Sequence, residues 1–215
     1  ATEVIMGADQ DILSSIITLQ FGRPLKVNEF AYMGSVSGTG SGKLLQNAHD
    51  CAFTNDNHLM VSSRGSDNAV TAWLLLKARY SKLMGAVRGA GAPNFMDDGV
   101  VCRTHPTKQW VAYAAYTDNA VQVVDVSDPK APKIIGTARG TGGTDGYYLN
   151  HPHSLIFYED WLVVVAGEDA AISVLDVKDP TSDTWMDCLG NCAGAHGTNG
   201  LYLYGVSDVA VQQIG

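Results

Sequence analysis

The alternation of apolar and polar positions reads as β-structure along the chain. In residues 99–138, Gly99 to Arg103 is a short apolar run, Thr104 to Gln109 holds a proline and reads as a turn, and Trp110 to Tyr116 is rich in aromatic residues and valine. Asp118-Asn119 is a tight-turn pair, Ala120 to Val126 is β-branched, Ser127 to Pro132 is a turn with two prolines, and Lys133 to Ala138 is a fourth strand. No segment long enough for a helix shows the matching period of about 3.6 residues.

This unit recurs. Met33-Gly34, Met84-Gly85 and Ile135-Gly136 stand 51 residues apart, and one more step lands on Met186. Asp67-Asn68-Ala69-Val70, Asp118-Asn119-Ala120-Val121 and Asp169-Ala170-Ala171-Ile172 share that interval of 51, as do Leu59, Trp110 and Trp161. A four-stranded meander repeated at this length is the pattern of a β-propeller blade. The expected architecture is therefore all-β: one domain over residues 1–215, a four-bladed β-propeller of repeats of 51 residues, with blades near 49–88, 98–139 and 153–188. The fourth blade is expected to be shared between residues 196–215 and residues 16–36, so that strands from the two termini close the ring and cover its last face. In this reading Leu201 to Gly205 and Val209 to Ile214 are inner strands, and Leu25 to Val36 supplies the outermost. Ile16 to Phe21 reads as a further strand without a fixed place, and a five-bladed ring is an alternative for which the chain is short.

Composition narrows the function classes. The chain has 215 residues, 46% apolar and 17% charged, which excludes disorder. Its formal charge of 14 − 22 = −8 argues against nucleic acid or an anionic membrane as partner. Apolar runs such as Trp161 to Ala166 fall far short of the roughly 20 residues that span a bilayer, so no membrane span is expected. Cys188 and Cys192 share one Gly-rich loop and are expected to form a disulfide in an oxidising compartment. Cys51 and Cys102 lie in apolar strands and read as buried small hydrophobes.

Val121 to Gly136, with its Asp125-Val126-Ser127-Asp128-Pro129 core, resembles the LVIVP-repeat family of β-propellers, as does Ile172-Ser173-Val174-Leu175-Asp176-Val177-Lys178-Asp179-Pro180. Val70 to Arg79 departs from the pattern by lacking Asp-Pro. The resemblance implies a propeller fold and a secreted, cell-surface or periplasmic setting. It implies no particular chemistry.

The loops Ser37 to Ala48, Arg88 to Met96, Arg139 to Pro152 and Leu189 to Ala195 fall on one face of such a ring and are long and Gly-rich. They end at Ala48-His49-Asp50, Asp97-Asp98-Gly99, Pro152-His153-Ser154 and Ala195-His196-Gly197. His49, Asp98, His153 and His196 are therefore expected to converge at the channel mouth, a donor set suited to a divalent transition metal such as Zn, Fe, Mn or Cu, with Asp98 the weaker fourth ligand because a strict step of 51 from His49 lands on Val100 and sets it two residues early. His151 is a candidate supporting or replacement ligand. The bland alternatives are histidines that bond loop carbonyls between blades, and a metal-free polar pocket. His58 and His105 fall in turns on the opposite face and are expected to be solvated.

A metal at the mouth would polarise a substrate or activate water, with Asp50 or Asp97 as general base. Arg88 and Arg139 read either as inter-blade ion pairs or as a clamp for a carboxylate or sulfonate substrate, and Tyr147 as a pocket wall or an edge cover. Ser37 to Leu44 looks like a phosphate-binding loop but has Ser for its first Gly and Leu for its last Ser/Thr. No Ser-His-Asp elbow is present. The expected function is a metal-dependent enzyme (lyase, hydrolase or oxidoreductase) acting on a small polar substrate. The alternative is a non-catalytic module binding a protein or glycan on the loop face.

Overall fold

The computed structural model describes residues 2–8, 15–21, 32–37, 44–77, 80–194 and 203–211. It is all-β there. Strands β1 (Thr2–Ala8), β2 (Ser15–Phe21) and β3 (Tyr32–Ser37) form a three-stranded sheet in the order β1-β2-β3. Three four-stranded antiparallel meanders follow. The first holds β4 (Ala48–Phe53), β5 (His58–Ser63), β6 (Ala69–Lys77) and β7 (Tyr80–Arg88). The second holds β8 (Gly99–Thr104), β9 (Trp110–Ala115), β10 (Ala120–Asp125) and β11 (Lys133–Arg139). The third holds β12 (Pro152–Tyr158), β13 (Trp161–Ala166), β14 (Ala171–Asp176) and β15 (Cys188–Ala193).

First strands line up side by side, β4 against β8 and β8 against β12, while β5 packs on β8 and β9 on β12. β1 packs on β4 in turn. One apolar core lies between the second and third meanders, built on Val123, Leu155, Leu162 and Leu175. Another joins the first and second meanders through Met60, Cys102 and Tyr113. The repeating glycine of the Met-Gly signature is where neighbouring sheets come closest. A Cβ on Gly85 would lie 2.6 Å from the Pro129 carbonyl oxygen, and one on Gly136 2.3 Å from the Trp185 Nε1. Trp185 Nε1 donates to the Ile135 carbonyl at 3.0 Å across that seam.

Several expectations need correction. The N-terminal segment contributes three strands rather than two. β3 lies at one edge of their sheet, and residues 16–21 sit in the central strand β2. β3 pairs with β2; of its expected partner Val209–Ile214, residues 209–211 form no strand and 212–214 lie outside the described residues. Leu203 to Val206, partly within an expected strand, is a turn closed by Val206 N donating to the Leu203 carbonyl at 3.1 Å.

Leu189 to Ala193, expected in a loop, belongs to β15, because its backbone completes a ladder with β14. That also removes the disulfide. Cys188 and Cys192 lie four residues apart on one extended strand and are free thiols. At about 3.3 Å per residue they stand far beyond the roughly 7 Å that a disulfide can bridge between Cα atoms. Cys102 is buried and Cys51 half-buried, and burial, then Asp50, pushes the Cys51 thiol up to about 11. Neither behaves as a reactive thiol.

His105 is not solvated but only 3% exposed. Its Nδ1 accepts the backbone N–H groups of Thr107 and Lys108 at 3.1 and 3.0 Å, and its ring meets Phe157 edge-on at 4.8 Å. A proton on Nδ1 would break both hydrogen bonds. Burial first, then Lys108, hold its proton affinity below the ordinary value of 6.5. The unfolded chain takes up a proton that the folded one refuses. The His105 contribution to stability is therefore full above pH 6.5 and is lost as the pH falls below it. Urea titrations at about pH 7.5 and pH 5 should show stability lost on acidification, and His105→Leu should reduce that loss. An identical loss in the variant would refute the assignment.

Candidate functional site

The loop face is organised by three aspartates, the ones that mark the 51-residue register. Asp67 accepts the N–H of Gln46 at 2.8 Å. Asp118 accepts those of Gly91 and Asp97 at 2.9 and 2.8 Å, and Asp169 those of Gly142 and Asn150, both to Oδ2, at 3.1 and 2.9 Å. Each carboxylate pins the loop that leads into the first strand of its own sheet. The next residue reaches the following sheet: Asn68 accepts from Asp98 N at 3.1 Å and donates to Asp97 at 2.9 Å, and Asn119 accepts from His151 N at 2.9 Å.

Every first strand then carries the same irregularity. The β4–β5 ladder skips His49, β8–β9 skips Val100, and β12–β13 skips His153. Each is a β-bulge, which re-aims its side chain away from the sheet's regular alternation. Two residues earlier, Asn47, Asp98 and His151 adopt left-handed backbone at φ 47°, 60° and 55°. The C-terminal segment follows the same offsets. Met96, Leu149 and Leu203 each donate a backbone N–H to an upstream glycine carbonyl (Gly89, Gly140 and Gly194), and Gly205, two residues on, has φ 70°. The position equivalent to His49, Val100 and His153 is therefore Ser207.

The predicted metal set changes accordingly. His49 and His153 do occupy equivalent bulges. Asp98 sits two residues before the bulge of its strand, where Val100 stands 51 residues after His49. Both Asp98 oxygens are taken by Arg64, through Nε and through Nη2 at 2.7 Å. His196 lies outside the described residues. Among the described residues, no three His, Cys, Asp or Glu side chains are grouped to hold an ion.

The other nominated residues are also engaged. Asp50 accepts from Arg103 Nη1 and from Cys102 N at 3.1 Å, which ties β4 to β8. Asp97 holds Asn68. Arg139 lies over the Phe95 ring at 3.8 Å, and neither it nor Arg88 makes an ion pair among the described residues. Tyr147 donates its hydroxyl to the Met186 carbonyl at 3.1 Å and so covers a sheet seam. His58 is half-buried beside Asp56, 3.0 Å away.

On the loop face, His49 Nδ1 donates to the carbonyl of the neighbouring bulge, Val100 O, at 2.8 Å. That bond fixes the tautomer and leaves Nε2 with a lone pair. His153 meets the Tyr116 ring edge-on at 5.1 Å, and Tyr116 stacks on His151 at 4.0 Å. Burial, then His151 and Arg64, lower the proton affinity of His153 and favour its neutral form. Below the mouth, Ser154 donates to Asp208 at 2.7 Å, so the C-terminal segment lies beside β12. The 51-residue step from His49 lands on Val100, and the bulges bear that count out, whereas Arg64 and Tyr116 carry no such signal in the sequence.

No protein-family profile matches the sequence, and no curated protein matches it either. Solved structures do resemble it. Sqt1 from Chaetomium thermophilum superposes with a TM-score of 0.67 at 14% identity, over 96% of this chain and 45% of that one. The WD40 domain of Toxoplasma gondii coronin gives 0.61 at 12% identity, over 89% and 43%. The computationally designed Ika8 protein gives 0.62 at 14% identity, over 99% and 51%. The chain thus spans about half the length of these structures. The likeness shows a fold of the β-propeller kind and nothing about activity.

Proposed function

We propose that the chain is a recognition module of the β-propeller kind that takes a small polar ligand, or a polar group of a partner, at the channel mouth between His49 and His153. One observation carries this reading. The carboxylates available as general bases, Asp50 and Asp97, and the nominated ligand Asp98 are already held by protein donors. His49 Nε2 and the His153 ring nitrogens make no hydrogen bond among the described residues. Nuclear magnetic resonance of the histidine rings, with a panel of metal ions, sugars and small carboxylates, tests it. At least one class should shift His49 and His153 together and leave His58 and His105 still. A panel that moves neither mouth histidine refutes the reading.

A second reading, a divalent transition-metal centre, is favoured by the bond from His49 Nδ1 to Val100 O, which orients Nε2 as a metal-bound histidine is oriented. His49 and His153 would supply two ligands, and His196 was the third nominated from sequence. Elemental analysis of native protein tests it. A secreted or cell-surface setting rests on the family resemblance, since the disulfide that would have supported it does not form.

The ring itself is proposed to hold four blades. The way β1 packs on β4 matches how β5 and β9, both second strands, pack on the next sheet. The N-terminal sheet is then short of a first strand, and residues 203–211, beside β12, stand where that strand belongs. Removing residues 203–215 is expected to lower the melting temperature by several degrees, and an unchanged value refutes the closure.

A further inference from the structure

The residue that follows the second strand has a repeated task at the mouth. Arg64, after β5, reaches the left-handed residue of the next sheet and grips Asp98. Tyr116, after β9, does the same by stacking on His151. Gly167 follows β13 and meets the next left-handed residue through backbone alone, its carbonyl accepting Gly205 N at 3.3 Å. Two sectors of the mouth are thus closed by a large side chain, and the third has none.

The vacant space is where His153 rests. A Cβ on Gly167 would lie 2.8 Å from His153 Cδ2, 3.1 Å from its Nε2 and 3.3 Å from the Val206 carbonyl oxygen. The Gly167 backbone is not left-handed, so glycine is not demanded by conformation. What requires it is the imidazole against it.

We infer that Gly167 is the positioning and specificity-determining residue of the mouth: by lacking a side chain it seats the His153 ring and leaves, among the described residues, the one sector without a covering side chain, through which a ligand reaches it. This rests on the recognition reading above. Ligands enter past Gly167, between His153 and the Val206 carbonyl. A side chain the size of Arg64 or Tyr116 at this position closes the ring of covers and shuts the site.

Diethyl pyrocarbonate at neutral pH, with modified histidines located by mass spectrometry, reads access directly. In the wild-type chain His153 should be modified. Gly167→Tyr should slow its modification severalfold and leave His49 unchanged. Gly167→Ala, a smaller change, should shift the His153 ring resonances. Equal His153 reactivity in wild type and Gly167→Tyr overturns the inference and leaves the recognition reading standing. His153 and His49 slowing together overturns it too, as a global effect. His153 already protected in the wild type, with both rings silent to the ligand panel, overturns both.

Discussion

Gly99→Ala is expected to destabilise the chain by about 3 kcal/mol, through overpacking rather than backbone strain. Gly99 opens β8, and a Cβ there would lie 1.9 Å from the Tyr113 hydroxyl oxygen and 2.3 Å from Cζ. Tyr113 cannot move aside. It is fully buried at 0% exposure, packed between two meanders, and its hydroxyl donates to the Met96 carbonyl at 2.9 Å. A shift of the ring would orphan that hydroxyl in an apolar core, and a shift of β8 would pull on the Asp97-Asp98 corner of the mouth. For a chain of this size the loss corresponds to a fall of roughly 6–12 °C in melting temperature. A double-mutant cycle isolates the cause. Tyr113→Val alone should cost about 3 kcal/mol by opening a cavity, and in the Gly99→Ala background it should cost clearly less. Additive losses would show that the two residues do not compete for the same space.

Asp118→Ala should cost about 2–3 kcal/mol, because one carboxylate oxygen serves two backbone donors. Gly91 N and Asp97 N both point at Asp118 Oδ2, at 2.9 and 2.8 Å, and each loses its partner together. The loss has a local signature. Amide exchange should rise first at Gly91 and Asp97, ahead of the strands β8 to β11. Asp169→Ala should act alike on Gly142 and Asn150, and the two losses should add, since the aspartates serve different loops. If Asp118→Ala melts within a degree of wild type, the aspartates are not what holds the loop face. The same variant should broaden the mouth signals of His49 in β4 less than those around Asp98, because the pinned loop leads into β8.

Much of the fold was legible because repetition is a local property of sequence. The 51-residue registers of Asp67, Asp118 and Asp169, and of Gly85 and Gly136, turned out to mark repeated contacts: a carboxylate on a loop in all three four-stranded sheets, and a glycine beneath the next sheet's turn in the first two. Turn chemistry and β-branched runs located the strands of the second meander closely. The sequence of Cys188 to Ala193 misled because Gly190 and Asn191 carry no alternation, yet a backbone ladder needs no side-chain signal once β14 lies alongside.

The histidines of the site were legible too, as residues standing where Gly-rich loops enter first strands. Which of them share a position was legible in part: a step of 51 from His49 lands on Val100 and sets Asp98 two residues early, and the bulges place Val100 opposite His153 across a loop longer by two residues. Nor does any pattern along the chain announce that Arg64 holds Asp98, 34 residues away, or that Gly167 makes room for His153. The sequence by itself determined the repeat, the strands and the loop face, because backbone preference and alternation act between near neighbours. Tertiary structure alone decided which charges are spent in pairs and which imidazoles remain open, because that depends on which sheet ends meet.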